Sequence, residues 1–293
     1  MLKIGFIGSG TTGTALAVRL SQEGCPVVAV SSRTLRSAQK LAGLLPDCRV
    51  CYAAQEVAEA AELVFITTPD DVIARVCGEV RWREGKNVVH CSGAHSVDVL
   101  EPARKLGAAV GSFHPLQTFA DVDQAVQNLP GSTFALEAEE PLLTTQKELT
   151  RLLNGKWVVL KPGDKVLYHA AAVFACNYLV TLVKLALDLW QNFGVSSKEA
   201  IRALLPLLEG TISNIDHIGL PDCLTGPIAR GDSGTIERHL MALEAKGPAL
   251  LTTYKELGLQ TIPIALAKGS VSDQKAEEMK VLLSSKNRKG DKE

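Results

Sequence analysis

Lys165, His169 and Asn177 stand four and eight residues apart in a long apolar stretch. On one α-helix these spacings put all three along a single face, since eight residues drift by only about 80°. An imidazole and an amide presented together can move a proton and orient a ligand. His169 is the first candidate for proton donor, because an imidazole titrates near neutrality and this one shares its face with Asn177. His114 is the second: it follows an apolar run and precedes Pro115, a corner that sets a ring on the rim of a sheet. Structural readings compete with these. His169 could pack or cap in a seam, His114 could stiffen a turn, and Asn177 could tie two helices together. Further along, Thr225, Arg230 and Asp232 lie in a glycine-punctuated segment that could line a cleft, with Arg230 clamping a carboxylate through two hydrogen bonds. The alternative there is a helix-linking loop in which Arg230 and Asp232 pair.

A second pattern opens the chain. Gly8-Ser9-Gly10-Thr11-Thr12-Gly13 follows an apolar run and begins an amphipathic segment, the context a GxGxxG dinucleotide loop requires. Gly8 permits a tight turn, Gly10 lets backbone approach a pyrophosphate, and Gly13 lets helix and sheet pack closely. The free N–H groups at the start of the helix then receive the phosphates. At the end of the second strand, where an NAD site usually has a carboxylate for the ribose, the chain reads Ser31-Ser32-Arg33-Thr34. Arg33 can fork onto a 2′-phosphate, so NADP is the expected cofactor, the alternative being a solvated Arg33 beside a helix cap. Thr67, Thr68 and Pro69 after one later strand, and Ser92 and Gly93 after the next, occupy the ends expected to border ribose and nicotinamide. Ser92 is also a candidate substrate contact, with His114 and Asn177.

These residues need a scaffold, and its rhythm is visible. Short apolar runs at residues 3–7, 26–30, 49–52, 63–67, 87–91, 109–113, 133–137 and 157–160 alternate with amphipathic segments, as in a parallel sheet with crossover helices. Helix starts are expected after Ser32 or Thr34, after Asp70 and after Ser96. Beyond Pro162-Gly163 the pattern is helical: 164–193, 198–208, 235–245, 248–257 and 273–283. The expected organisation is an α/β dinucleotide-binding domain over residues 1–161, an all-α domain over 162–283 and a polar tail over 284–293.

Composition narrows the function. Thirty-one basic against 32 acidic side chains leave no basic excess for gripping nucleic acid. The charge-free run 170–183 holds only 14 residues, including Asn177 and Thr181, and reads as a buried helix rather than a membrane span. Seven cysteines and no leader-like start point to reduced thiols and a cytoplasmic protein. Cys48 and Cys51 form a CxxC without a second ligand pair at matching spacing, so no metal site is expected.

The glycine loop, Thr67-Thr68-Pro69-Asp70, His90-Cys91-Ser92-Gly93-Ala94 and Gly111-Ser112-Phe113-His114-Pro115-Leu116 together resemble the superfamily of 6-phosphogluconate dehydrogenase, ketopantoate reductase, pyrroline-5-carboxylate reductase and prephenate dehydrogenase. Tyr168-His169 with Asn177 and the segment 224–232 resemble a Rossmann-like branch of it known chiefly by its fold. The resemblance implies a Rossmann NADP-binding domain followed by a helical domain that pairs two subunits. It also implies polar work by a Lys and an Asn near the start of the interdomain helix. Lys165 and Asn177 fall in that region, but not at the spacing of four the relatives use. The expected activity is NADPH-dependent reduction of a small oxo or imino acid, ketopantoate-like 2-oxo acids first, in a homodimer. A non-catalytic NADP(H)-binding sensor or scaffold is the alternative.

Overall fold

The computed structural model describes residues 1–285; most of the expected polar tail lies outside them. All eight expected strands form one sheet: β1 (Ile4–Ile7), β2 (Val27–Ser31), β3 (Arg49–Val50), β4 (Leu63–Ile66), β5 (Asn87–His90), β6 (Ala109–Leu116), β7 (Thr133–Ala138) and β8 (Lys156–Val159). Their order is β3-β2-β1-β4-β5-β6-β7-β8. The first six run parallel, joined by α1 (Thr11–Gln22), α2 (Leu35–Ala42), α3 (Ala54–Ala60), α4 (Ile73–Gly78) and α5 (Glu101–Arg104). The chain leaves β1 toward one side of the sheet and starts β4 on the other, so a crevice opens at the strand ends between them.

One departure from a fully parallel sheet occurs. β6 and β7 pair antiparallel from Gly111↔Ala138 to Leu116↔Thr133. The short helix between them, α6 (Val122–Asn128), packs against α1 instead of crossing the sheet, and the chain returns from the end it left. A crossover helix, α7 (Leu142–Leu152), then restores parallel pairing of β7 with β8.

Alternating strand residues feed two cores. On one face Phe6 stacks on Phe65 at 5.0 Å, Phe65 meets Phe113 edge-on at 5.8 Å, and Phe113 meets Phe134 at 4.7 Å, beneath α1, α2, α6 and α7. On the other, Ile7, Val64, Ile66 and Val88 pack with Val57, Ile73, Cys77 and Trp82. This aromatic row spans β1, β4, β6 and β7 and stiffens the sheet whose ends carry the candidate site.

The remaining helices are α8 (Asp164–Ala175), α9 (Asn177–Trp190), α10 (Ser197–His217), α11 (Ser233–Glu244), α12 (Pro248–Ala267) and α13 (Asp273–Ser284). The chain divides into two compact units, Met1–Leu179 and Val180–Glu293. α8 therefore belongs with the sheet, although the change of texture at Pro162-Gly163 pointed to an earlier boundary. In the second unit Ile236, Ile262, Ala276, Met279 and Leu283 form the core of α11–α13. A Cβ on Gly258 would stand 2.9 Å from Leu283, so glycine lets α12 and α13 close up.

Two helical expectations are corrected. The stretch 164–193 is not one helix: it breaks at Cys176 (φ −115°, ψ −67°). Nor is 170–183 buried: Phe174 is 71% and Val180 68% exposed, and α9 has no buried residue. By length and composition alone, an 18-residue window within Asp164–Phe193 is also apolar enough to cross a membrane, with mean hydropathy 1.8.

Candidate active site

The crevice at the ends of β1 and β4 is a cavity of about 550 Å³. Gly8, Ser9 and Gly10 line it, with Ser31, Ser32, Arg33 and Thr34 at the end of β2 and Thr67, Thr68 and Pro69 after β4. Gly8 adopts φ +109°, and a Cβ there would lie 2.6 Å from the Thr67 carbonyl oxygen. A Cβ on Gly13 would fall 2.4 Å from Thr67 Oγ1, whose hydroxyl donates to the Gly8 carbonyl at 2.8 Å. Both glycines are thus required by the seam between loop and β4. Gly10 differs, with open space where its side chain would be. It is the N-cap of α1 and no side chain caps that helix, which leaves its first N–H groups for an incoming ligand.

Residues that line this cavity also carry unmet polar groups. The hydroxyls of Ser9, Ser31 and Thr68 are buried without hydrogen-bond partners, and Arg33 is exposed at the mouth. Buried polar atoms normally find partners, so three orphan hydroxyls on residues lining one cavity are groups a polar ligand could engage. Glycine backbone, an uncapped helix, serine hydroxyls and an arginine where a carboxylate is usual together fit a dinucleotide with a 2′-phosphate. Thr34 Oγ1 is engaged as the cap of α2, accepting from Ser37 N at 3.3 Å. Thr11, Thr12, Gly13, Ser92 and Gly93 do not line the cavity. Tyr52, at the end of β3, and Arg75, on α4, do line it and escaped the sequence reading, because a strand order is needed to bring them there.

From Pro69 the rim continues to a second polar cluster. Asp70 Oδ2 accepts a 2.7 Å bond from Ser92 Oγ, which itself accepts from the N–H groups of Ala94 (3.2 Å) and His95 (3.0 Å). Ser92 therefore spends its hydroxyl on shaping the loop after β5. His90 does similar work: its Nδ1 accepts from Ser92 N at 3.1 Å, so Nε2 carries the proton and donates to the Ser96 carbonyl at 3.2 Å. Burial, helped by the Lys165 charge, pushes His90 down to about 3.

Beside this loop, Gly93 sits against two imidazoles. A Cβ there would be 2.6 Å from His169 Nδ1 and 2.8 Å from His114 Nε2. The two rings lie edge to face with centroids 6.3 Å apart. His114 Nδ1 is 2.8 Å from the Tyr168 hydroxyl, while His169 Nδ1 is buried with no partner. Burial, with Lys165 and His169 nearby, pushes His114 down to about 3; burial pushes Tyr168 up to about 12. At neutral pH the pair is a neutral imidazole and a protonated phenol. His114 thus has no readily available imidazolium form, which weighs against its expected use as a simple acid.

Lys165 lies beneath this pair, 2% exposed, with Nζ donating to Ser112 Oγ at 2.5 Å. Burial lowers it to about 8 against the pull of Glu137, Cys91 and Asp70. Its ammonium is 6.0 Å from the Tyr168 ring centroid. The single-face expectation for Lys165, His169 and Asn177 is corrected: the break at Cys176 separates Asn177, which is exposed, from the other two. Tyr168 takes the third place, three residues from Lys165 on the same helix. It was visible only as part of the Tyr168-His169 motif.

Thr225, Arg230 and Asp232 belong to the second unit. Asp232 is the N-cap of α11, accepting from Thr235 N at 3.0 Å and Thr235 Oγ1 at 2.7 Å, so its carboxylate is engaged in the fold. Arg230 and Thr225 are exposed. Burial pushes the Cys48 thiol up to about 11, unfavourable for a reactive thiolate.

Comparison with known proteins agrees with this architecture. Residues 1–115 match a Rossmann-like domain family, and residues 132–261 match a domain of unknown function, DUF2520. A pyrroline-5-carboxylate reductase from Treponema pallidum (strain Nichols) is 22% identical over 255 residues, covering 84% of this chain and 94% of that protein. The crystal structure of protein TM1727 from Thermotoga maritima is 26% identical, covers 91% of this chain and 99% of that one, and superposes with a TM-score of 0.74. A reductive aminase from Aspergillus terreus, in complex with NADPH and ethyl-5-oxohexanoate, shares the fold at 17% identity and a TM-score of 0.62, covering 97% and 92% of the two chains.

Proposed function

Because the chain belongs to the superfamily of Rossmann-fold NAD(P) reductases with a helical C-terminal domain, we propose that it is an NADPH-dependent oxidoreductase reducing a C=N or C=O bond in a small molecule. The observation that carries this is the run of fitted groups along the strand ends. A cavity with orphan hydroxyls, free helix N–H groups and Arg33 leads through the Asp70–Ser92 bond to a phenol–imidazole pair. NADPH, when bound, supplies the hydride. The loop glycines and the start of α1 hold its pyrophosphate, Ser31, Ser32 and Arg33 its phosphorylated ribose, and the cluster beside Gly93 handles the proton the heteroatom needs. The similarity to a pyrroline-5-carboxylate reductase supports cyclic imines as a substrate class beside the ketopantoate-like 2-oxo acids expected first.

The test is a titration of NADPH fluorescence followed by NADPH oxidation against a panel of 1-pyrrolines and 2-oxo acids. Binding with turnover of at least one class is expected. Tight binding without turnover of any would replace the enzyme with an NADP(H)-binding sensor.

The exposed apolar surface of α8 and α9, including Val166, Leu167, Phe174 and Val180, supports a homodimer. A second copy suits it better than lipid, since α9 carries the Lys184–Asp188 ion pair and Thr181 within its run. Sedimentation without detergent should give a dimer at micromolar concentration; a monomer, or a protein soluble only in detergent, would overturn this.

A further inference from the structure

Resting on the reductase reading, we infer that Tyr168 is the group that protonates the substrate, with His114 as the positioning residue that holds it. Three placements carry this. The Tyr168 hydroxyl lies 2.8 Å from His114 Nδ1, so the phenol has a fixed partner. The other nitrogen of that ring, Nε2, faces across Gly93 toward His169 Nδ1, which is buried and unpartnered. Beneath the ring of Tyr168, Lys165 is held by Ser112 as a neighbouring charge at neutral pH. A phenol losing its proton becomes an anion in a poorly solvated place, and a fixed cation lowers the cost of that anion.

The proton balance closes with a neutral imidazole. As hydride reaches the carbon of the C=N or C=O bond, the Tyr168 O–H bond breaks and a new N–H or O–H bond forms on the substrate. His114, neutral and carrying its proton on Nδ1, donates a hydrogen bond to the phenolate oxygen, and the phenolate then takes its proton back from solvent, so the ring keeps one tautomer through the cycle and never needs to be a cation. The net reaction consumes one hydride and one solvent proton. Gly93 belongs to the same device, since any larger residue would fill the gap between the two rings.

The experiment pairs Tyr168→Phe and His114→Gln with wild type, using NADPH and 1-pyrroline. Tyr168→Phe should lower kcat by roughly 10²–10⁴-fold with NADPH affinity unchanged. His114→Gln should lower kcat less, and added imidazole should restore part of it. A Tyr168→Phe enzyme with wild-type kcat would overturn the assignment, whereas wild type inert to all imines and oxo acids would overturn the reductase reading itself. A readout independent of turnover is ¹⁵N NMR of the histidine rings. His114 should stay neutral down to pH 5, and its Nδ1 signal should move in Tyr168→Phe. Protonation of His114 near pH 6.5, or an unmoved Nδ1 signal, would refute the couple whatever the activity.

Discussion

Replacing Gly93 with alanine separates proton handling from cofactor binding, and the structure sets the size of the effect. The added Cβ would stand 2.6 Å from His169 Nδ1, 2.8 Å from His114 Nε2 and 3.1 Å from His114 Cε1. Ordinary contact is about 3.5 Å, so the rings must retreat by roughly 0.7–0.9 Å. Overpacking on this scale costs about 1–3 kcal/mol, a fall of several degrees in Tm. His169 can yield without losing a hydrogen bond, because its Nδ1 has none. His114 cannot, since its Nδ1 is held by Tyr168 at 2.8 Å and its backbone is fixed in β6. Stretching that bond toward 3.5 Å forfeits about 1 kcal/mol or more, equivalent to a five- to tenfold or larger loss of kcat. Gly93 does not line the dinucleotide cavity, so the Kd for NADPH should stay within twofold of wild type. The assay combines a melting curve, an NADPH fluorescence titration and turnover of 1-pyrroline. Unchanged kcat would refute the coupling between the two rings, and a parallel loss of NADPH affinity would place Gly93 in the cofactor site instead.

Arg33→Asp should reduce NADPH affinity by about 10–100-fold and leave NADH binding level or improved, because a charge-assisted fork to the 2′-phosphate is worth about 1.5–3 kcal/mol; equal affinity of wild type for both cofactors would refute it. Turnover should decline as pH rises through about 8, where Lys165 loses the charge that supports the Tyr168 anion, and Lys165→Met should remove that alkaline limb from the pH–rate profile. The stability sign is opposite. With a folded value near 8 against 10.5 for an ordinary lysine, the unfolded chain binds more protons in that window, so the Lys165 contribution to stability rises from pH 8 to 10.5 and should vanish in Lys165→Met melting curves. Ser92→Ala should cost about 1–3 kcal/mol, since it strips Asp70 of a donor and two N–H groups of an acceptor; Asp70→Asn, which keeps an acceptor, should cost less.

The sheet was legible in the sequence because each buried strand is a short apolar run bounded by turn residues. Two local chemistries also worked: Thr34 caps α2, and Ser96 accepts from Asp98 N at the helix that follows it. The direction of β7 was not legible, since an alternating run reads alike in either direction and the decision lies in α6 packing on α1. The glycine loop could be assigned from sequence because turn, backbone approach and packing are all properties of the same six residues. Tyr52 and Arg75 could not, because their presence at the cavity depends on strand order and on the tilt of α4.

The histidine cluster was half legible, and the reason is geometric. Spacing on a helix predicts which residues share a face only while the helix continues. Lys165 and His169 obey the rule within α8, and so does Tyr168, three residues on from Lys165. Asn177 does not, because the break at Cys176 has no proline or glycine to announce it. What binds α8 to the sheet is likewise non-local: Lys165 reaches Ser112 and Tyr168 reaches His114, each more than fifty residues back. A fully buried lysine is costly unless its charge is used or matched. Glu137, Asp70 and Cys91 pull its value upward, yet none of them forms an ion pair with it among the described residues. A buried cation beside a phenol accords with the role inferred for Tyr168, since the anion it would form on giving up its proton is a charge that Lys165 could meet.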